Sequence, residues 1–182
     1  SPRRQELLQR IGVEDFKTLS LDIDESYPEG LSPEDTVRYI AKKKCDAAAA
    51  LCAPDDLIIT ADTMVFLGND RLGKPRDEED ALRMLRELAG RAHTVCTGVS
   101  VRRGAQEERF AVSTRVFFRP ATDDEIRAYI KTGEPMDKAG AYGVQSRGAL
   151  FVERIDGDFF NVMGLPVEQL GLVLARFGVK LL

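Results

Sequence analysis

The apolar positions of this chain repeat with two periods, one typical of helices and one typical of strands. The helical period, with caps such as Ser32-Pro33 and the capping box Thr122–Glu125, predicts helices over residues 3–11, 33–51, 78–89, 122–133 and 166–178. Strand patterns cover residues 16–23, 57–66, 93–101 and 107–118, with a hairpin from residues 149–155 and 159–163. Helices and strands therefore interleave, which predicts an α/β fold. The hairpins add antiparallel pairs, so the predicted sheet is mixed.

Asp62 interrupts the most apolar of these strands, Leu57–Phe66. An unpaired carboxylate in such a strand costs several kcal/mol or becomes neutral. A positive partner is therefore expected beside Asp62, either a metal ion or a basic side chain. The alternative is an aspartate that caps a turn at the end of the strand.

Lys44 falls on the apolar stripe of the helix predicted over residues 33–51, seven residues after Val37 and four after Ile40. A lysine at such a position either extends its ammonium group to solvent or projects towards an anion or towards Asp62.

Further polar groups form a candidate set for binding phosphates and a cation. Lys74 is held between Gly73 and Pro75, and Arg3 and Arg4 offer forked guanidinium donors to phosphate oxygens. The acids of residues 22–25 suit a hard cation, and the glycine-bearing segment 137–145 ends in Gln145, an amide that suits a base edge. Each of these features is also compatible with a solvated loop or terminus.

Composition and net charge argue against several classes of protein function. A net charge of −4 argues against binding long nucleic acids, and no apolar run is long enough to span a membrane. The three cysteines lack CxxC spacing, which favours a reducing cytoplasm over a zinc site or a disulfide framework. The single histidine, His93, alternates with apolar residues and is interpreted as a strand residue. Acids, isolated basic residues and an amide together favour a metal-dependent enzyme acting on a phosphorylated small molecule.

Six segments in this order and spacing resemble the Maf family of nucleoside triphosphate pyrophosphatases, also described as septum-formation inhibitors. They are Ser1–Leu8, Ala61–Thr63, Gly73–Pro75, Thr97–Val99, Gly133–Gln145 and Gly164–Pro166. The resemblance covers residues 1–182 as a single Maf-like domain. It implies a fold similar to inosine triphosphate pyrophosphatases, with an elongated mixed sheet, flanking helices and two lobes around a central cleft.

The resemblance also implies roles for individual residues. Asp62 matches the catalytic proton acceptor, and Glu25, with Asp62, matches the acids linked to a divalent cation, Mg²⁺ or Mn²⁺. The family's phosphate-contacting residues correspond to Arg4, Lys44 and Lys74. Three further positions mark the branch that prefers dTTP and UTP, and these are Arg3, Thr63 and Gln145.

Two features depart from the family pattern. The helix around Lys44 usually reads Glu-Lys-Ala, whereas this chain has Lys43-Lys44-Cys45. Family members also carry an apolar strand before Ser-Pro-Arg-Arg, so we expect an upstream strand of ~5–6 residues that leads into Ser1.

The predicted activity is metal-dependent hydrolysis of dTTP and UTP to the monophosphate and pyrophosphate by a cytoplasmic enzyme, with a homodimer expected from the family. Two alternatives stay open. One is a house-cleaning pyrophosphatase for modified nucleotides, and the other is a non-catalytic nucleotide-binding regulator of cell division.

Overall fold

The computed structural model describes residues 1–182 and contains six α-helices and five strands. The helices are α1 (Pro2–Arg10), α2 (Pro33–Ala49), α3 (Glu78–Leu88), α4 (Asp123–Ile130), α5 (Phe159–Met163) and α6 (Val167–Arg176). The strands are β1 (Ile58–Leu67), β2 (Asp70–Leu72), β3 (Ala92–Arg103), β4 (Gln106–Phe118) and β5 (Val152–Asp156). Three 3₁₀ segments follow α4, at Glu134–Asp137, Ala139–Ala141 and Arg147–Phe151.

The strands form one antiparallel sheet in the order β2-β1-β3-β4-β5. The interleaved α/β class is therefore confirmed, although the pairing is antiparallel where a mixed sheet was expected. The chain divides into two compact units. The first comprises Ser1–Asp62, Thr97–Val112 and Gly164–Leu182, and the second comprises Thr63–Cys96 and Ser113–Met163.

In the first unit, α2 is fixed against two strands at close range. The caps predicted for this helix are present, because the Ser32 side chain accepts a hydrogen bond from the Asp35 amide. Thr60 Oγ1 of β1 donates to the Ala41 carbonyl oxygen at 2.7 Å. On β3, an added Cβ at Gly98 would lie 2.3 Å from the Val37 carbonyl group, so this contact requires glycine. The helix that carries Lys44 is thus held at both of these points.

Substitution of Gly98 by alanine should therefore destabilise the protein by about 1–3 kcal/mol, since the atoms that it would overlap belong to the α2 backbone and must move. Urea unfolding of the purified variant measures this change. Gly171→Ala on α6 is the matched control, because nothing lies within 4 Å of its added Cβ. That change should stabilise by about 0.5–1 kcal/mol. Equal stabilities for the two variants would contradict the close contact.

The second unit is built around a cluster of buried rings. His93 on β3 lies edge-on to Phe118 on β4, with ring centroids 5.0 Å apart. Tyr142 completes the contact at 5.4 Å from His93 and 4.8 Å from Phe118. The sequence-based interpretation of His93 as a strand residue is confirmed, and its ring is buried.

Two predicted strands are wrong. Residues 16–23 form no strand, and none of their side chains is buried, so the apolar alternation there covers no sheet face. The segment Phe159–Met163 is helix α5 and not the second strand of a hairpin. The Asp158 carboxylate accepts from the amides of Phe160 at 2.7 Å and Asn161 at 3.1 Å, and this capping outweighs the strand propensity of the phenylalanines.

The β2 strand pairs with Val65–Leu67 at the end of β1. The upstream strand expected from the family pattern stays a prediction. None of the helices is long and apolar enough to cross a membrane.

Candidate functional site

In the first unit, basic side chains lie around the buried carboxylate of Asp62. Asp62 lies in β1 between buried and half-buried neighbours, and its side chain is 11% exposed. Its Oδ1 accepts a hydrogen bond from Lys44 Nζ at 2.8 Å. The prediction of a positive partner beside Asp62 is therefore confirmed, and that partner is the lysine on the apolar stripe of α2. The alternative in which Asp62 caps a turn is excluded, because β1 continues for five residues beyond it.

Lys44 bridges two acids. Besides Asp62, its ammonium group lies 2.9 Å from Glu25 Oε1. The two preceding lysines point elsewhere: Lys42 pairs with Asp46, and Lys43 donates to the Ser26 carbonyl oxygen. The helical period thus places only the third of these lysines at the Asp62 carboxylate, as predicted.

Among the acids of residues 22–25, Glu25 is the one that reaches this lysine. Asp24 is exposed and bonds the Ser26 amide and hydroxyl, with Lys43 at 3.5 Å. Asp22 is exposed as well. The segment is an irregular loop and not the end of a strand. The structure therefore joins one acid of this segment, Glu25, to the Asp62 pair.

Arg3 and Arg4 lie on α1, which is anchored by the buried side chain of Leu7. They precede Leu7 by four and three residues, so both lie on the anchored side of the helix. Arg4 Nε donates to the Gly164 carbonyl oxygen at 2.8 Å. Burial lowers the pKa of the Arg4 guanidinium from its ordinary value and the adjacent Arg3 lowers it further, whereas the charges of Asp62 and Glu25 raise it. Arginine remains protonated under these opposing effects, so a fixed cation faces the acid pair.

The oxygens of Asp62 and Glu25 fit a hard divalent cation. Asp62 Oδ2 is buried without a hydrogen-bond partner, so a strong acceptor is left unsatisfied beside the Lys44 contact. Glu25 is half exposed, so its carboxylate is accessible from solvent. Magnesium is commonly held by one or two carboxylates together with water and phosphate oxygens. These two residues therefore suit such an ion, with the remaining ligands supplied by water and substrate.

The second unit holds Thr63, Lys74 and Gln145. Thr63 follows Asp62 in β1 and is half-buried. Lys74 is exposed on the short loop between β2 and α3. Hydrogen bonds hold the backbone on both sides of this lysine. The Gly73 carbonyl oxygen accepts from the Gly140 amide at 3.1 Å, and the Arg76 amide donates to Asp80 Oδ2 at 3.1 Å.

Asp80 was missed by the sequence reasoning. Hydrogen bonds from Arg83 and from the Arg76 amide lower the pKa of Asp80 to about 2, so this nearly buried carboxylate stays ionised. Its position in the first turn of α3, three residues after the cap Asp77, is the sequence signal that was available.

Gln145 is exposed at the tip of the glycine-bearing segment and makes no hydrogen bond within the chain. Its side chain therefore has its donor and acceptor available, and it does not bond its own loop. Tyr142 and Val144 before it are buried, whereas Ser146 and Arg147 after it are exposed.

The chain is similar to known proteins over nearly its whole length. A family model described as "Maf-like protein" matches residues 1–177. A "dTTP/UTP pyrophosphatase" of Bacillus velezensis is 46% identical over 180 residues, covering 99% of this chain and 94% of that protein. A protein of the same name from a Geobacillus species is 47% identical, covering 98% and 95%, and one from Bacteroides thetaiotaomicron is 43% identical, covering 93% and 89%. The chain therefore belongs to the Maf family.

Proposed function

We propose that this protein hydrolyses dTTP and UTP to the nucleoside monophosphate and pyrophosphate. The relatives that carry this activity in their names match nearly the full length of the chain. The observation that carries the mechanism is the buried Asp62 carboxylate, with one oxygen bonded to Lys44 and the other without a partner.

Asp62 is proposed as the group that receives the proton of the attacking water. Its Oδ2 has no hydrogen-bond partner within the chain, while Lys44 holds Oδ1 and so fixes the plane of the carboxylate. A water bonded to Oδ2 attacks at the α–β phosphoanhydride and transfers its proton to Asp62 as the new oxygen–phosphorus bond forms. The bond to the leaving oxygen breaks, and pyrophosphate departs.

Basic side chains neutralise the negative charge that develops on the phosphates. Arg3 and Arg4 supply planar guanidinium groups that suit bidentate contact with phosphate oxygens, and Lys44 and Lys74 act as point charges. Arg4 is held in place by the Gly164 carbonyl oxygen, so its donors are oriented before substrate arrives.

We further propose that Mg²⁺ or Mn²⁺ is required and is held by Glu25 and Asp62 through their carboxylate oxygens. When bound, such an ion screens the phosphates and acts as a Lewis acid. Lys44 contacts both acids, and it therefore keeps the two carboxylates close together despite their mutual repulsion.

The preference for a pyrimidine base is assigned to Arg3, Thr63 and Gln145. The exposed amide of Gln145 offers one donor and one acceptor direction to the edge of a uracil or thymine ring. A site built to bond such an edge rejects a base that leaves its polar groups unpaired.

The test is product analysis with a panel of nucleotides in Mg²⁺ or Mn²⁺. We expect pyrophosphate and monophosphate from dTTP and UTP, with much lower rates for purine triphosphates, and we expect EDTA to abolish turnover. Release of orthophosphate would contradict cleavage at the α–β bond. Faster turnover of modified nucleotides would favour a house-cleaning role, and nucleotide binding without turnover would favour a regulator.

A further inference from the structure

The carboxylate of Glu134 receives three hydrogen bonds from other residues of the second unit. Its Oε1 accepts from the Tyr129 hydroxyl at 2.8 Å and from the Gly148 amide at 3.1 Å. Its Oε2 accepts from the Arg147 amide at 3.3 Å. One side chain near the start of the segment thus binds the backbone of Arg147 and Gly148, which lie two and three residues after Gln145.

The other end of the same segment is tied to this carboxylate through Tyr129. The Gly143 amide donates to the Tyr129 hydroxyl oxygen at 3.1 Å, and that hydroxyl donates to Glu134. Gly143 and Gly148 also lie in contact, because an added Cβ at Gly148 would be 2.5 Å from the Gly143 carbonyl oxygen. Residues 143–148 therefore form a closed loop with both ends fixed, and we call this stretch the Gln145 loop.

Charge makes this arrangement depend on an ionised glutamate. Burial by itself raises the pKa of Glu134, but the nearby Ser146 side chain and the hydrogen bonds from Tyr129 and the two backbone amides outweigh it and lower the pKa below its ordinary value. The three hydrogen-bonding groups act as donors, so a carboxylate accepts from each of them, whereas an amide at the same position would turn its NH₂ group towards one of them. Lys138 does not neutralise the carboxylate, since its ammonium group bonds the Glu134 carbonyl oxygen and Asp137.

We infer that Glu134 is a positioning residue for substrate specificity: it fixes the Gln145 loop, and through that loop it orients the Gln145 amide towards the pyrimidine base. The inference rests on the proposed function, because the base contact belongs to that proposal. The ordering is achieved before substrate binds, so it lowers the entropic cost of holding an exposed side chain in one orientation. Asp62 and its partners lie in the other unit and are not among the contacts of Glu134.

A purely structural role predicts a different result from a positioning role. If Glu134 served folding alone, its replacement would lower stability and leave the kinetic constants of the folded fraction unchanged. If it positions Gln145, the folded variant binds the base less well, while the chemical step at the phosphates proceeds at nearly its normal rate.

The experiment compares Glu134→Gln with the wild type and with Glu153→Gln, a control at an exposed glutamate on β5. For Glu134→Gln we expect KM for dTTP to rise about tenfold with kcat within about threefold, because one buried donor is left unpaired. The ratio of kcat/KM for dTTP over dGTP should fall, approaching the ratio measured for Gln145→Ala. Hydrogen exchange at the amides of Gly143, Arg147 and Gly148 should accelerate about tenfold or more in the same variant. The control should match the wild type in every measurement.

A second variant covers the case in which Glu134→Gln fails to fold. Tyr129→Phe removes one donor to Glu134 and the acceptor of the Gly143 amide, so it should give a smaller change of the same kind. Unchanged KM and unchanged base preference alongside faster amide exchange would overturn the positioning role. Unchanged exchange would overturn the claim that Glu134 fixes the loop. If the wild type hydrolyses no nucleotide, the proposed function fails and the specificity role with it, while the exchange data still decide whether Glu134 holds the loop.

Discussion

Replacement of Asp62 by asparagine should lower kcat for dTTP on the order of 100-fold or more while the protein remains folded. The amide keeps the shape of the side chain but cannot take a proton from water and carries no charge to balance Lys44. Steady-state kinetics with pyrophosphate detection measures the loss. Asp24→Asn is the matched control, because it makes the same change at an exposed acid of the same unit.

The stability of the Asp62→Asn variant separates catalysis from folding. Lys44 also lies 2.9 Å from Glu25 in the wild type, so its charge should not be left without a partner in this variant. The substitution also removes a buried negative charge, and the amide NH₂ group takes the place of the carboxylate oxygen that has no partner. Functional charges of this kind often lower stability, and we therefore expect the Tm of the variant to equal or exceed that of the wild type. Near-normal turnover by a folded variant would make Asp62 a structural acid.

The residues that violate a local pattern were the ones that sequence reasoning located. Asp62 stands out because a carboxylate does not belong in a buried strand, and Lys44 stands out because a lysine does not belong on an apolar stripe. Their 2.8 Å contact joins two anomalies that lie 18 residues apart. Where a side chain conflicts with its own element, the sequence alone suffices to propose a partner.

Loop residues left no comparable signal. Glu25 reaches Lys44 from an irregular segment that the alternation of apolar residues presented as a strand. Glu134 binds residues 13 and 14 positions later, and such pairing depends on how the chain turns between them. The capping by Asp158 that turns residues 159–163 into a helix is local, but it competes with a strong strand pattern. Tertiary contacts and capping determine the local structure of these segments. Neither of them can be detected from the periodicity of apolar residues.

Acid should destabilise this protein through its single histidine. Burial lowers the pKa of His93 to about 4, against 6.5 for the group in water. Nδ1 of the ring is buried without a partner, and Nε2 shares a hydrogen bond with the Tyr142 hydroxyl at 2.7 Å. The unfolded chain therefore binds a proton near pH 6.5 that the folded chain takes up only near pH 4.

The sign and the pH window follow from this difference. Above pH 6.5 His93 is neutral in both states and has no effect on the pH dependence of stability. As pH falls from about 6.5 to about 4, the unfolded state binds more protons, so the free energy of unfolding decreases by about 3 kcal/mol in total. Below the folded pKa the contribution becomes constant. Ionised carboxylates such as Asp80, with a pKa of about 2, stabilise the folded state as well. Their contribution is lost only at a pH below the His93 window.

Urea unfolding at several pH values between 7 and 4.5 measures this effect, and the upper part of the range isolates it because no second histidine titrates there. The double variant His93→Phe/Tyr142→Phe should lose the slope between pH 6.5 and 5, since it removes the titrating ring without leaving a buried hydroxyl unpaired. Tyr142→Phe alone keeps the buried imidazole and should retain the slope. A wild-type stability that is constant from pH 6.5 to 5 would show that His93 reaches solvent in the folded state, and the buried ring cluster of the second unit would then be wrong.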